Sequence, residues 1–484
     1  MDHGPTTTGP HDRSPDGATV RPDLVLRGRV VTPTGVLDDG VVAVTGDRLA
    51  WVGRAADVPW ASDVTVPEPT GWTLLPGLVD VHCHGGGGAS FPDVTDADAA
   101  RIAIHEHLRH GTTTLVASLV TATGATLVER TTLLADLADA GELGGIHLEG
   151  PFLSRARCGA QNPEFMVAGD PDLVRDVAAA ARGHLATMTI APEVPGVCGQ
   201  AGALQALVDV GAVPSVGHTD GSPEATEQAL TDAFDALSAP GTRSRRPTVT
   251  HLFNGMPPLH HRDPGPVAAC LAVAARGGAV LELIADGVHL APAVVKMVFD
   301  TVGPAGIALV TDAMAAAGMP DGSYVLGPVN VRVKDGVARL AEGGAIAGGT
   351  AHLLDVVRCT VGAGVTLQDA VHAATATPAA VLGRTDIGAL AAGLRADVVV
   401  VDEGLFPVRV LRGGAWFDEV ALDEPTVGGP TVGRPTVDEP TVGRPTVDEP
   451  TVGRSGGTGL SSGVNAPAGT GAPTDTDASA GAAR

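Results

Sequence analysis

A chain of 484 residues, 44% of them apolar, can fill two or three domains, or one large barrel with a satellite. Its formal charge of −24 argues against any general affinity for nucleic acid or anionic membrane, although a small anion could still bind in a local basic pocket. The five cysteines, at positions 83, 158, 198, 270 and 359, are scattered and form no CxxC pair; they suggest a reducing, cytoplasmic setting rather than a disulfide framework.

Residues 1–22 are rich in Pro, Thr, Asp and Gly. They read as a disordered tail without the apolar core of a signal segment. Segments 24–31, 41–45 and 49–52 follow as short strands, with Gly46-Asp47 as a hairpin turn. From Leu74 the rhythm becomes strand, then helix. The expected strands are 74–81, 112–119, 144–148, 185–190, 213–217, 248–252, 279–285 and 306–311. Helical patterns lie between or after them at 97–109, 173–181, 225–237, 291–302 and 353–361. The most apolar long stretch, 265–285, contains Arg276 and Glu282 and reads as a helix and a strand, not a membrane span.

Eight such units imply a (β/α)₈ TIM-like barrel over residues 74–383. An open doubly wound sheet is the alternative, but no dinucleotide-type glycine fingerprint follows the first barrel strand. Segments 324–333 and 337–340 read as a hairpin-like insertion after the eighth strand. Segments 398–401 and 408–411 can return to the N-terminal strands, so that 23–73 and 384–418 build a small β-sandwich domain. From residue 421 Pro-Thr-Val occurs six times with a period of five, too short for a packed solenoid; 421–484 reads as a disordered tail.

The chemistry starts at His82-Cys83-His84, which closes the first barrel run. Side chains alternate along a strand, so the two imidazoles share one side and Cys83 takes the other. Glu149, His218, His251 and Asp312 close the third, fifth, sixth and eighth runs, and in a barrel all these ends meet at one mouth. Imidazole and carboxylate ligands suit zinc or ferrous iron, as one or two ions. Glu149, His218 and His251 form one candidate site. His82 and His84 form a second, and Glu149, with two carboxylate oxygens, could bridge them. Asp312 is the candidate general base for water, and could be a ligand as well.

Several runs extend this pattern: Pro76-Gly77-Leu78-Val79-Asp80-Val81-His82-Cys83-His84-Gly85, His147-Leu148-Glu149-Gly150-Pro151-Phe152, Gly217-His218-Thr219 and His251-Leu252-Phe253-Asn254-Gly255-Met256-Pro257. Ala285-Asp286-Gly287-Val288-His289 and Thr311-Asp312-Ala313-Met314 complete them. From about Leu24 to Leu411 the chain resembles the N-acetylglucosamine-6-phosphate deacetylase family of the amidohydrolase superfamily. That resemblance implies metal-dependent hydrolysis of N-acetyl-D-glucosamine 6-phosphate to glucosamine 6-phosphate and acetate. It implies phosphate contacts from Asn254 and the Gly255 amide, and a sugar contact from His289. It also implies a homodimer in which Arg262 reaches the neighbouring subunit's phosphosugar. Gln161 stands where some members carry a histidine; it can hydrogen-bond a carbonyl or hydroxyl but cannot become an imidazolium. A related amidohydrolase and a noncatalytic sugar-phosphate-binding barrel are the competing readings.

Overall fold

The computed structural model describes residues 21–60 and 64–417; the expectations for residues 1–20 and for the repeat region 421–484 lie outside the described residues. Eight parallel strands follow one another around a barrel in chain order. They are Leu78–Cys83, Thr112–Val120, Gly145–Glu149, Leu185–Ile190, Val213–Val216, Thr248–Val249, Val280–Leu283 and Ile307–Leu309. Closure is made at the mouth. Beyond Leu309 the chain pairs with the first strand: Asp312 N donates to His82 O at 2.9 Å, and His84 N to Ala313 O at 2.7 Å.

The helices that cover the barrel start where the sequence supplies caps. Asp96 accepts from the Ala99 amide ahead of Ala97–Arg109, and Ser222 accepts from the Ala225 amide ahead of Pro223–Leu237. Proline opens the latter helix, where its missing N–H costs no intrahelical bond. Val79, Val81, Val116, Ala186, Val280 and Ala308 form an apolar cluster with the short helix Ala376–Val381. Each of these strand residues precedes its strand's end, so the polar ends rest on an apolar plug.

The run 74–81 is not one strand. It breaks at Gly77 into Thr73–Pro76, which belongs to a second sheet, and Leu78–Cys83 of the barrel. The physical reason is local. A Cβ at Gly77 would stand 2.1 Å from Thr113 Oγ1, so only glycine lets the backbone cross here. The second sheet has seven strands in the order Ala415–Trp416, Pro407–Arg412, Val398–Val401, Thr73–Pro76, Leu24–Thr32, Gly35–Thr45 and Arg48–Arg54. N- and C-terminal segments thus meet across Thr73–Pro76. Val30, Val42, Leu49, Leu74, Val398 and Leu411 share one apolar cluster. The edge strand Arg48–Arg54 is tied to the segment ahead of Val398–Val401 by Leu49 N to Leu394 O and Gly393 N to Leu49 O, both at 2.8 Å. The insertion is a three-stranded antiparallel sheet rather than a simple hairpin, because the chain also turns back at Gly327 (φ 52°).

Candidate metal centre

All six candidate ligand residues stand at the barrel mouth, and the backbone there departs from strand geometry to deliver them. His218, His251 and Asp312 have φ values of 47°, 27° and 46°. Left-handed backbone at a non-glycine residue costs on the order of 1–3 kcal/mol and persists only where the surroundings enforce it. They do so here by a hydrogen bond accepted at each residue's carbonyl: from Ser154 N to His218 O at 3.0 Å, from Asn254 N to His251 O at 3.0 Å, and from Gly349 N to Asp312 O at 2.6 Å. This is also why the fifth, sixth and eighth strands end before the ligand itself.

The side chains fall into two sets joined by one carboxylate. Glu149 Oε1 lies 2.8 Å from both His218 Nε2 and His251 Nε2. Glu149 Oε2 lies 3.1 Å from His84 Nε2, which is 3.2 Å from Asp312 Oδ1. His82 Nε2 is 3.1 Å from His84 Nε2 and 3.3 Å from Asp312 Oδ1. Cys83 points away, its sulfur 3.2 Å from His107 Nε2. His82, His84, Glu149, Asp312 and, in the second set, His218 and His251 converge closely enough to chelate divalent metal.

The donor set fits such an ion on its own chemistry. Nδ1 of His82 faces a Glu282 oxygen, Nδ1 of His84 faces Ser118 O and Nδ1 of His218 faces Arg157 O. Each partner only accepts, so Nδ1 carries the hydrogen and the neutral ring turns a lone pair inward at Nε2. Two such lone pairs 3.1 Å apart, beside two carboxylates, repel unless positive charge lies between them. Ligand atoms bonded to one ion at about 2.0–2.2 Å stand roughly 3 Å from each other, as these do. The titration behaviour points the same way. Burial opposes charge on His82, but Asp312, Glu149 and Glu282 outweigh it and raise its proton affinity well above the ordinary value. Burial likewise opposes ionisation of Glu149 and Asp312, yet the histidines hold both carboxyls below their usual range. The centre demands cations, and protons and metal compete for it.

The remaining candidates are spread around this core. Gln161 is buried with both polar ends engaged: Nε2 donates to Glu149 Oε2 at 2.6 Å and Oε1 accepts from Thr121 N at 2.8 Å. Asn254 Nδ2 donates to His251 O at 3.1 Å. Gly255 lies against the His218 ring; a Cβ there would be 2.9 Å from Nδ1. His289 Nδ1 is held by Asp286 Oδ2 at 2.8 Å. Arg262 sits in an exposed loop and is not brought to the ligand sets. The sequence reading missed the supports. Glu282 contacts His82, and His147 bonds Ser118 Oγ and Thr189 Oγ1, both at 2.9 Å. A charge within the apolar run 279–285 was the available signal for Glu282. For His147 the signal was its place two residues before Glu149.

A mixed imidazole–carboxylate centre on the C-terminal mouth of a (β/α)₈ barrel defines a class of metal-dependent hydrolases. Residues 73–416 match the model of the amidohydrolase family, and the chain belongs to that family. It is 34% identical to N-acetylglucosamine-6-phosphate deacetylase of Lysinibacillus sphaericus, over 73% of this chain and 88% of that protein. It is 36% identical to N-acetylgalactosamine-6-phosphate deacetylase of Escherichia coli O157:H7, over 79% of this chain and 96% of that protein. Among solved structures it superposes with TM-score 0.73 and 40% identity on a mutant N-acetyl-D-glucosamine-6-phosphate deacetylase from Mycobacterium smegmatis in complex with N-acetyl-D-glucosamine-6-phosphate. That match covers 81% of this chain and 98% of the other.

Proposed function

We propose that this enzyme hydrolyses N-acetyl-D-glucosamine 6-phosphate to D-glucosamine 6-phosphate and acetate. The observation that carries the reading is the carboxylate of Glu149 shared between two histidine pairs, with Asp312 beside one of them. The relatives' substrates supply the sugar. A divalent cation, zinc or ferrous iron at one or both sets, supplies Lewis acidity that polarises the amide carbonyl and makes water acidic. Asp312, ionised because the neighbouring histidines favour its carboxylate, takes a proton from the attacking water. It then gives that proton to the departing amine nitrogen as the C–N bond breaks. His289 meets the sugar, while Asn254 and the Gly255 amide meet the phosphate. Gln161 acts through Glu149, whose Oε2 accepts from its Nε2 at 2.6 Å.

Arg262 reaches the phosphate of a neighbouring subunit in a homodimer, a role that suits its exposed loop and its forked donors. The barrel, from Leu78 to residue 383, carries the chemistry; the second sheet, with Thr73–Pro76 at its middle, braces it. Five free cysteines fit a reducing, cytoplasmic setting, and among the described residues no helix is long and apolar enough to cross a membrane. The galactosamine relative favours a second reading, the C4 epimer as substrate. Acetate release from both phosphorylated epimers and from unphosphorylated N-acetylglucosamine, with metal-replete protein, tests the proposal. A higher kcat/KM for the galacto epimer selects the second reading, and no release from either phosphosugar refutes both.

A further inference from the structure

The seventh barrel strand, Val280–Leu283, contributes no candidate ligand, yet it carries a carboxylate into the interior. Glu282 is 1% exposed between Leu281 and Leu283. Burying a carboxylate costs several kcal/mol unless it is well paired, so its partners reveal its use. One oxygen, Oε2, serves both ligand sets. It lies 3.0 Å from His82 Nδ1 and accepts from the His251 backbone N–H at 3.3 Å. The Glu282 carbonyl also accepts from Leu252 N at 2.9 Å, so the strained turn at His251 is held by both the side chain and the backbone of this residue. Glu149 joins the two sets on the side of the reacting groups; Glu282 joins them from behind.

We infer that Glu282 is a positioning residue that orients His82 for metal and fastens the His82/His84 set to the His218/His251 set. The inference rests on the reading of His82 and His84 as metal ligands. The three histidines with a partner on Nδ1 are not equivalent. His84 and His218 face neutral peptide carbonyls, whereas His82 faces an anion. An acceptor on Nδ1 fixes the tautomer and the ring plane, and an anionic acceptor also makes Nε2 a stronger donor. His82 is therefore the ligand whose strength this chain has adjusted, and the adjustment comes from a strand with no ligand of its own. A purely structural buried pair would need neither the bond to His251 nor an oxygen aimed at the ring of a ligand.

The test uses full-length wild type, Glu282→Gln, Glu282→Leu and His82→Ala, each stripped of metal and titrated with Zn²⁺ against a chromophoric chelator. Bound zinc is counted by mass spectrometry, and the fold is followed by circular dichroism. We expect Glu282→Gln to weaken zinc held by the His82/His84 set by about 10–100-fold, the range for lost outer-shell partners, and to leave any second ion at wild-type affinity. Glu282→Leu should weaken the same ion further, and His82→Ala should abolish it. A Glu282→Gln protein with wild-type affinity for both ions, alongside a His82→Ala protein that has lost one, overturns the role of Glu282 alone. A His82→Ala protein that keeps both ions overturns the ligand reading beneath it. Should the Glu282 variants not fold, ¹⁵N-histidine spectra of wild type decide. In the zinc-loaded protein, a His82 Nδ1–H proton further downfield than those of His84 and His218 supports the inference, and one that matches them overturns it.

Discussion

Replacing His352 with glutamine should flatten the alkaline limb of this protein's stability curve. His352 lies outside the metal centre, at the start of the helix Leu353–Gly362. Its Nε2 is 2.9 Å from Glu106 Oε1 and its Nδ1 is 3.3 Å from Asp355 Oδ2. The His110 ring stacks on it, with centroids 3.5 Å apart and planes within 12°. Lone pairs in parallel planes cannot converge on one ion, so the close grouping of Glu106, His110 and His352 is an ion-pair cluster, not a further chelate. Burial disfavours the His352 charge, but Asp355 and Glu106 prevail and raise its pKa to about 9. Against the ordinary value of about 6.5, at about 1.4 kcal/mol per pH unit, the charged pairings contribute up to about 3 kcal/mol. The lowered pKa values of Glu106 and Asp355 express the same pairings and add nothing further. Because the folded value lies above the unfolded one, this stabilisation is complete below about pH 6.5 and is lost as pH rises through about 9. His110 behaves oppositely. Burial, reinforced by the charge on His352, lowers its pKa to about 4, so the unfolded chain binds that proton first and stability falls between about pH 6.5 and 4. Chemical unfolding of metal-free wild type and His352→Gln from pH 6 to 10 gives the comparison. The difference between the two proteins, rather than either curve alone, is the measure, since a chain built of several sheets need not unfold in one step. Wild type should lose an advantage of about 3 kcal/mol across pH 6.5–9.5. Parallel curves over that window would refute the assignment.

Asp312→Asn should still fold and bind the phosphosugar, with kcat lower by on the order of 10²–10⁴; metal analysis must accompany the kinetics, and wild-type kcat with normal metal content would sink the base role. Arg262→Ala should raise KM for the phosphorylated sugar by the equivalent of about 1.5–3 kcal/mol and leave the unphosphorylated analogue little changed. Mixing it with Asp312→Asn should restore activity in hybrid dimers that hold one intact site. Gly255→Ala places a methyl where only 2.9 Å separates it from His218 Nδ1, at φ 61°. Beyond a backbone cost of about 1–2 kcal/mol, it should displace the His218 ring and reduce bound zinc, read by mass spectrometry.

What the sequence disclosed and what it hid follow from how far apart the interacting residues lie. The barrel was legible because each strand is a short apolar run, and each candidate ligand terminates its own run. His82 and His84 even declare their shared direction, being two residues apart. At Gly77 the breaker pair Pro76-Gly77 was in the sequence, but not the partners: that the first half of the run pairs with Leu24–Thr32 and the second with Thr112–Val120 is settled by distant residues. The supports were hidden for a stronger reason. Glu282 meets His82 across 200 residues of chain, and His352 meets Glu106 across 246. In the sequence Glu282 is only a charge that spoils a membrane span; in the fold it meets His82, a candidate ligand. The six candidate ligands placed at a barrel mouth without these partners would be a knot of facing lone pairs and carboxylates, their rings free to turn either nitrogen inward. Glu282, Ser118 and Arg157 fix the outer nitrogen of His82, His84 and His218 and remove that freedom from three of the four rings, so a metal's hold on this centre would depend on the residues behind the candidate ligands as well as on the ligands themselves.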